Sequence, residues 1–267
     1  MTELRLTEIW IYPVKSLGGI RLKSAKVQEK GLEHDRRWML IDEDNEFMTQ
    51  RLYPRMALFK LQVQDSRFKI EYKSDSITLS FNHTIKDESI EARIWDDTVQ
   101  VFEVSNEYSN WFSERLQMNC RLVSFPESNT RPVDENYQVN HEQVSLADAY
   151  PFLIIGEQSL ADLNSRLKEP LPMNRFRPNF VFSGGQPYVE DSWRNFSIGK
   201  NKFTAVKQCA RCVLTTVNQD TGDKGIEPLL TLSQYRKKEN RVLFGKNLVA
   251  LNHFEVYEGD EITVDGQ

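Results

Sequence analysis

Alternation of apolar and polar residues is clearest in the first half of the chain. Phe68, Ile70 and Tyr72 alternate with Lys69, Glu71 and Lys73, and Ile77, Leu79 and Phe81 alternate with Thr78 and Ser80. A period of two places one face of each segment in a core and the other in water, so the pair predicts an antiparallel hairpin turning at Lys73–Ser76. Ile90, Ala92 and Ile94, followed by Val99 and Val101, repeat the pattern around an Asp96-Asp97 turn. Leu4–Val14 and Arg37–Asp42 read as further strands. The period then changes. Tyr108, Trp111, Phe112 and Leu116 share one face of a helix expected from Asn106 to Gln117, with Ser105 as its cap.

The polar stretch from Pro126 to Gln143 has no period and reads as a linker, which divides the chain into residues 1–126 and 127–267. Beyond it, Phe152–Ile155 predicts a buried strand leading into a helix with Leu160, Leu163 and Leu167. Phe180–Phe182 is a strand stopped by Ser183-Gly184-Gly185, and Lys202–Val206 is another. Pro228 suits the first turn of a helix ending at Arg236. The tail from Leu248 to Val264 is strand-like and broken at Glu258-Gly259-Asp260. Strands outnumber helices and nothing repeats. The expected fold is therefore α+β, predominantly β and barrel-like, rather than a doubly wound sheet.

Composition narrows the classes. With 267 residues, 39% hydrophobic and 27% charged, the chain can bury a core without disulfide staples. Thirty-four Lys and Arg against 39 Asp and Glu give a net charge of −5, which excludes a basic sheath for nucleic acid but allows a local basic cleft. Three Cys cannot all pair, so no disulfide framework is expected and a reducing compartment fits. The opening Met1-Thr2-Glu3-Leu4-Arg5 is not a signal peptide, and no run approaches the roughly 18 apolar residues of a spanning helix. A soluble, cytoplasmic protein with no membrane partner is the expectation.

Glycine-rich phosphate loops and a Gly-x-Ser-x-Gly elbow are missing, and His34, His83, His141 and His253 are scattered, so P-loop, hydrolase and zinc chemistries recede. Cys209-Ala210-Arg211-Cys212 remains. Its spacing alone leaves metal binding, redox chemistry and plain core packing open. Arg211 beside Cys212 would favour the thiolate, the form that binds a soft transition metal, and Lys207 would add to the positive field. Pro13-Val14-Lys15-Ser16-Leu17-Gly18-Gly19, Asp35-Arg36-Arg37-Trp38 and Asn174-Arg175-Phe176-Arg177-Pro178-Asn179 each place cations where the backbone must turn. Lys15, Arg36, Arg177 and Arg211 are thus candidate ligands of an anion, if one cleft gathers them.

Ile11-Tyr12-Pro13-Val14-Lys15-Ser16, Asp35-Arg36, Phe176-Arg177-Pro178-Asn179, Glu190-Asp191-Ser192-Trp193 and the run from Arg211-Cys212-Val213-Leu214 to Asp220-Thr221-Gly222 together resemble the MOSC family. That family is named for the C-terminal domain of molybdenum cofactor sulfurase. The likeness is to the branch of YcbX-like proteins and the mitochondrial amidoxime-reducing component, and it runs from Glu8 to about Gly266. It implies an N-terminal β-rich MOSC domain, a C-terminal MOSC β-barrel with flanking helices, and the molybdopterin form of the molybdenum cofactor between them. By motif position it implies Cys212, not Cys209, as the metal ligand. Lys15, Ser16, Arg36, Arg177, Asn179 and Arg211 fall on positions that hold the pterin and its phosphate, and Asn247 on a further cofactor contact.

The activity the resemblance implies is reduction of small N-hydroxylated compounds (amidoximes, hydroxylamines, N-hydroxylated bases) to amines, independent of pyridoxal phosphate. Three Cys cannot build a plant-type cluster, so electrons would come from a separate ferredoxin-type iron–sulfur protein or a flavoprotein reductase, or from a ferredoxin domain outside this sequence. A sulfur carrier working through a Cys persulfide is the alternative, and no specific nucleic acid is expected. Two departures stand out: Asp148-Ala149-Tyr150-Pro151-Phe152 replaces Asp-Thr-Ser-Pro-Phe, and Gln186 falls where the resemblance expects the substrate entrance.

Overall fold

The structure, a computed structural model, describes residues 3–266. Its largest sheet runs in the order Ile262–Val264, Asn195–Ile198, Asn201–Arg211, Arg241–Ala250, Phe152–Gly156, Phe180–Ser183, Arg5–Ile11 and Ile20–Leu22, with Lys237–Lys238 pairing off the fourth of these. Neighbours are antiparallel except Phe152–Gly156 and Phe180–Ser183, which are parallel and joined through the helix Glu157–Ser165. The Leu6 N–H donates to Asp260 O, and the Ile262 N–H to Leu4 O, both at 2.9 Å. The first edge thereby returns to strand Arg5–Ile11, closing the sheet as a barrel and removing an exposed edge. The fold is α+β and mostly β, as the alternation predicted.

Both ends of the sequence contribute to this barrel. Strand Glu255–Tyr257 also pairs with Ser24–Gln28, so the first thirty or so residues are tied to the last dozen. The rest of the first half forms a four-stranded sheet, Trp38–Ile41, Arg121–Ser124, Asp97–Glu103 and Ser89–Ile94, and a meander of Phe59–Gln64, Arg67–Tyr72 and Asp75–Ser80.

The expected hairpins form with small shifts. Tyr72 pairs with Asp75, which confines the first turn to Lys73-Ser74. Asp97 already pairs with Ile94, so the second turn is Trp95-Asp96, one residue earlier than expected. The helix spans Asn106–Leu116 and buries Phe112 and Leu116. Ser105 occupies its cap position, but the hydroxyl makes no capping bond.

Two differences bear on the site. Strand Arg5–Ile11 stops before Tyr12, and the following loop leaves the barrel to carry Lys15 and Ser16. The strand expected at Lys202–Val206 continues to Arg211 and holds Cys209 within it. Alternation fades after Val206 because Lys207 to Arg211 border a cleft rather than a core, and the ladder shifts register between Ala205 and Lys207 and again between Gln208 and Ala210. Regular structure within Pro126–Gln143 is limited to the turn Glu135–Tyr137. Even so, Arg131 is buried there and donates to Ser145 O and Ala147 O at 2.9 and 2.6 Å. Among the described residues, no helix is long and apolar enough to cross a membrane.

Candidate functional site

A cleft of about 350 Å³ opens between the barrel and the loops of the first half. Lys15, Ser16, Arg36, Arg177, Asn179, Arg211, Cys212 and Asn247 all line it, although they come from five separate segments of the sequence. The wall carries Lys15, Arg36, Arg51, Arg177, Lys207, Arg211 and Arg241 against Asp134 and Asp148. A chain of net charge −5 thus concentrates positive charge in one concavity, where low-dielectric walls strengthen its field.

Tyr12 organises the deepest cations. Its ring is buried, with the Arg177 guanidinium 4.1 Å from the ring centre and that of Arg36 4.4 Å from it. Its hydroxyl donates to Pro178 O at 3.1 Å, and burial raises its pKa above the usual phenol value. Gly19 permits this placement, because a Cβ there would lie 2.4 Å from the Tyr12 ring. Beneath the ring, Asp35 is fully buried. Its carboxylate accepts the Tyr12 N–H at 2.7 Å, Arg36 Nη1 at 2.6 Å and Asn179 Nδ2 at 3.1 Å. Asn179 Nδ2 also donates to Trp10 O, and its Oδ1 accepts the Leu153 N–H at 3.2 Å. The Asn179 amide therefore ties two strands to the Asp35 turn while lining the cleft.

Arg177 differs from its neighbours. It is only 7% exposed, and among the described residues no carboxylate lies within ion-pair distance of it, whereas Lys15, Arg36 and Arg51 each have one. Nη1 donates to Leu17 O at 2.6 Å. Burial pushes the Arg177 pKa down to about 10. Ser16, Arg36 and Arg177 have φ of +67°, +51° and +54°. Side chains rarely occupy this left-handed region, and such strain clusters where a fold must aim groups at a ligand.

Lys15 is buried and donates to Leu146 O at 2.8 Å and to Asp148 Oδ1 at 2.6 Å. Burial pushes its pKa down to about 8 against the pull of Asp148. Burial works in the opposite direction on Asp148, but Lys15 and Arg51 outweigh it and hold that carboxyl well below the usual range. The loop carrying Ser16 is pinned from behind, where Gln50 Nε2 donates to Ser16 O at 2.7 Å and Gln219 Nε2 donates to Gln50 Oε1 at 2.8 Å.

The two cleft cysteines sit differently. Cys209 lies in the strand, with Arg211 Nη1 2.9 Å from its sulfur, while Arg211 Nη2 donates to Phe176 O at 2.7 Å. Cys212 follows the strand and starts the turn Val213–Thr216, where its carbonyl accepts the Thr215 N–H and hydroxyl. Sequence adjacency had paired Arg211 with Cys212. Strand alternation instead turns Arg211 toward Cys209, two residues back. Arg211 Nε is buried without a partner.

Arg51 and Arg241 were not legible, since no period or motif marks them, and the motif that begins at Asp148 gave no sign of its central place. Gln186, expected near the entrance, is exposed in the turn after strand Phe180–Ser183 and is not among the lining residues. Ala149 and Tyr150 do line the cleft. Among the described residues, no three His, Cys, Asp or Glu side chains gather as a protein-only metal cage would require.

Comparison with known proteins agrees with this architecture. A family model described as the MOSC N-terminal beta barrel domain matches residues 3–119, and one described as the MOSC domain matches residues 141–263. Molybdenum cofactor sulfurase of Oryza sativa is 33% identical over the whole chain, which spans only 35% of that longer protein. Mitochondrial amidoxime-reducing component 1 of Mus musculus is 35% identical over 90% of this chain and 74% of its own length. The Homo sapiens protein of the same name is 33% identical over 98% of this chain and 83% of its own.

Proposed function

The chain belongs to the MOSC family, and from that membership we propose that its cleft holds the molybdenum cofactor on Cys212 and reduces small N-hydroxylated compounds to amines. The observation that carries this reading is Arg177. A buried guanidinium with no carboxylate partner is costly, and an anion in the cleft offsets that cost. The cofactor phosphate is such an anion, and Arg36 shares the Tyr12 ring that orients Arg177.

The residues fit the rest of the group. Arg211 Nε is a buried donor still without an acceptor. The Ser16 and Asn247 side chains face the same space and suit a pterin rich in donors and acceptors. Cys212 supplies a thiolate suited to a soft metal. When bound, the cofactor supplies two-electron oxygen-atom chemistry at its metal. The chain orients it: Asp35 fixes Arg36 and Asn179, the Gln50–Gln219 pair fixes Ser16, and the turn after Cys212 fixes the sulfur. A separate ferredoxin-type or flavoprotein donor would supply electrons.

The test is conversion of benzamidoxime to benzamidine by protein from a cofactor-competent host, with a chemical reductant in place of the donor. Wild type forms benzamidine and Cys212→Ser does not. Molybdenum-loaded protein that turns over no N-hydroxylated compound contradicts the reading. A second reading, sulfur transfer through a persulfide, draws on the sulfurase relatives and on the guanidinium beside Cys209. A stable persulfide on either cleft cysteine in molybdenum-free protein would favour it.

A further inference from the structure

At the mouth of the cleft, Arg51 occupies what has the form of a binding site. Its guanidinium lies 4.0 Å from the centre of the Trp95 ring, and Nη2 donates to Asp148 Oδ2 at 3.1 Å. The Trp95 indole N–H donates to the other oxygen, Oδ1, at 3.4 Å, and Phe47 packs edge-on against the indole at 4.7 Å. A planar delocalised cation is thus held between an aromatic face and a carboxylate, the arrangement that recognises such cations in general.

Two features mark Arg51 as weakly held. Its Nε is buried without any partner. Asp148 keeps Lys15 on Oδ1 at 2.6 Å, so exchange of the cation on Oδ2 would not leave the carboxylate unpaired. A third feature concerns Trp95. It sits at the tip of a two-residue turn with φ of +56°, where glycine or asparagine is the usual choice, and is 39% exposed. A bulky aromatic in that conformation is strained and half in water. Its ring nevertheless reaches across to the Asp148 loop.

We propose that Trp95 and Asp148 form a recognition site for a planar amidinium or guanidinium group, and that Arg51 is its built-in occupant, displaced when such a ligand enters the cleft. The ligand class is that of amidines and guanidines, which are planar cations at neutral pH. Exchange of one planar cation for another leaves the charge at Asp148 unchanged. The inference rests on the reductase reading only for the natural ligand, which on that reading is the cationic amine-side product.

The test is calorimetric titration of the full, cofactor-free chain with benzamidine, and with benzyl alcohol as the neutral control. Wild type should prefer benzamidine. Arg51→Ala removes the competitor and should tighten benzamidine about fivefold or more, a change of the size of one cation–π contact. Adding Trp95→Ala to that variant should weaken it by a similar factor, while Trp95→Phe keeps most of the affinity. Trp95 is exposed and Arg51 partly so, and thermal melts establish that each variant is folded. Benzamidine affinity that is unchanged or weaker in Arg51→Ala, or that survives Trp95→Ala, overturns the proposal. Molybdenum plays no part in this titration. A chain that binds benzamidine but never holds the metal removes the reductase reading alone, and a molybdenum-loaded reductase that fails the titration removes this site alone.

Discussion

Arg211 and Cys209 lie on the same face of one strand, with the guanidinium Nη1 2.9 Å from the sulfur. Cys212, next to Arg211 in sequence, lies beyond the strand end with an extended backbone of its own. Cys209 and Cys212 are therefore three residues apart along nearly extended chain, roughly 9–10 Å between Cα atoms, beyond the roughly 7 Å limit of a disulfide. Mild oxidation followed by non-reducing peptide mapping should yield no Cys209–Cys212 disulfide. A bridge formed in high yield would mean that this segment is not held as a strand.

Removing the buried cation separates binding from stability. Arg177→Met should weaken retention of an anionic cofactor about tenfold to a hundredfold, the range of one charge-assisted contact of roughly 1.5–3 kcal/mol. Because Arg177 has no carboxylate to leave behind, the melting temperature of the empty protein should stay level or rise. Phosphate titration and thermal melts read the two effects. A large drop in melting temperature would show that its bond to Leu17 O matters more than its missing counter-ion.

Lys15 gives the cleft a pH dependence. Its pKa is pushed down to about 8 by burial, while the unfolded chain keeps the ordinary 10.5. Between those values the unfolded chain holds more protons, so this group's contribution to stability rises with pH across that window. Anion binding moves in the opposite direction. Sulfate, whose charge is fixed there, should bind more weakly as pH rises through about 8, since Lys15 then becomes neutral. Lys15→Arg stays charged and should abolish the break. A flat wild-type profile would contradict the assignment.

Asp35 supports the site from below. Asp35→Ala would strip Arg36 of its buried counter-ion and leave the Tyr12 N–H without an acceptor. The expected loss is roughly 3–5 kcal/mol, the usual result of breaking one side of a buried pair. Urea denaturation measures it. A loss below about 1 kcal/mol, the scale of an exposed pair, would mean that the pair is solvated in solution.

What the sequence disclosed follows from where each residue sits. The hairpins at Phe68–Phe81 and Ile90–Val101 were legible because one face is buried and the other wet. Strand Arg121–Ser124 was not, because Leu122, Val123 and Ser124 are all buried and leave no alternation to read. Strand Asn201–Arg211 was cut short for the opposite reason, since its far end faces a polar cleft. The site cations were legible as motifs at chain turns, yet their partners were not. Asp148 engages Lys15, Arg51 and Trp95 from three distant segments, a convergence that only the fold creates. Arg131 was hidden in a stretch with no period because its partners, the Ser145 and Ala147 carbonyls and the Asp97 carboxylate, come from other segments that only the fold brings together.

The central claim is that this cleft holds molybdenum through the sulfur of Cys212. Elemental analysis of protein purified from a cofactor-competent host tests it most directly. Wild type and Cys209→Ser should carry molybdenum in near-stoichiometric amount, and Cys212→Ser should carry almost none while melting at a similar temperature. Wild-type protein free of molybdenum, or Cys212→Ser that retains it, would contradict the account.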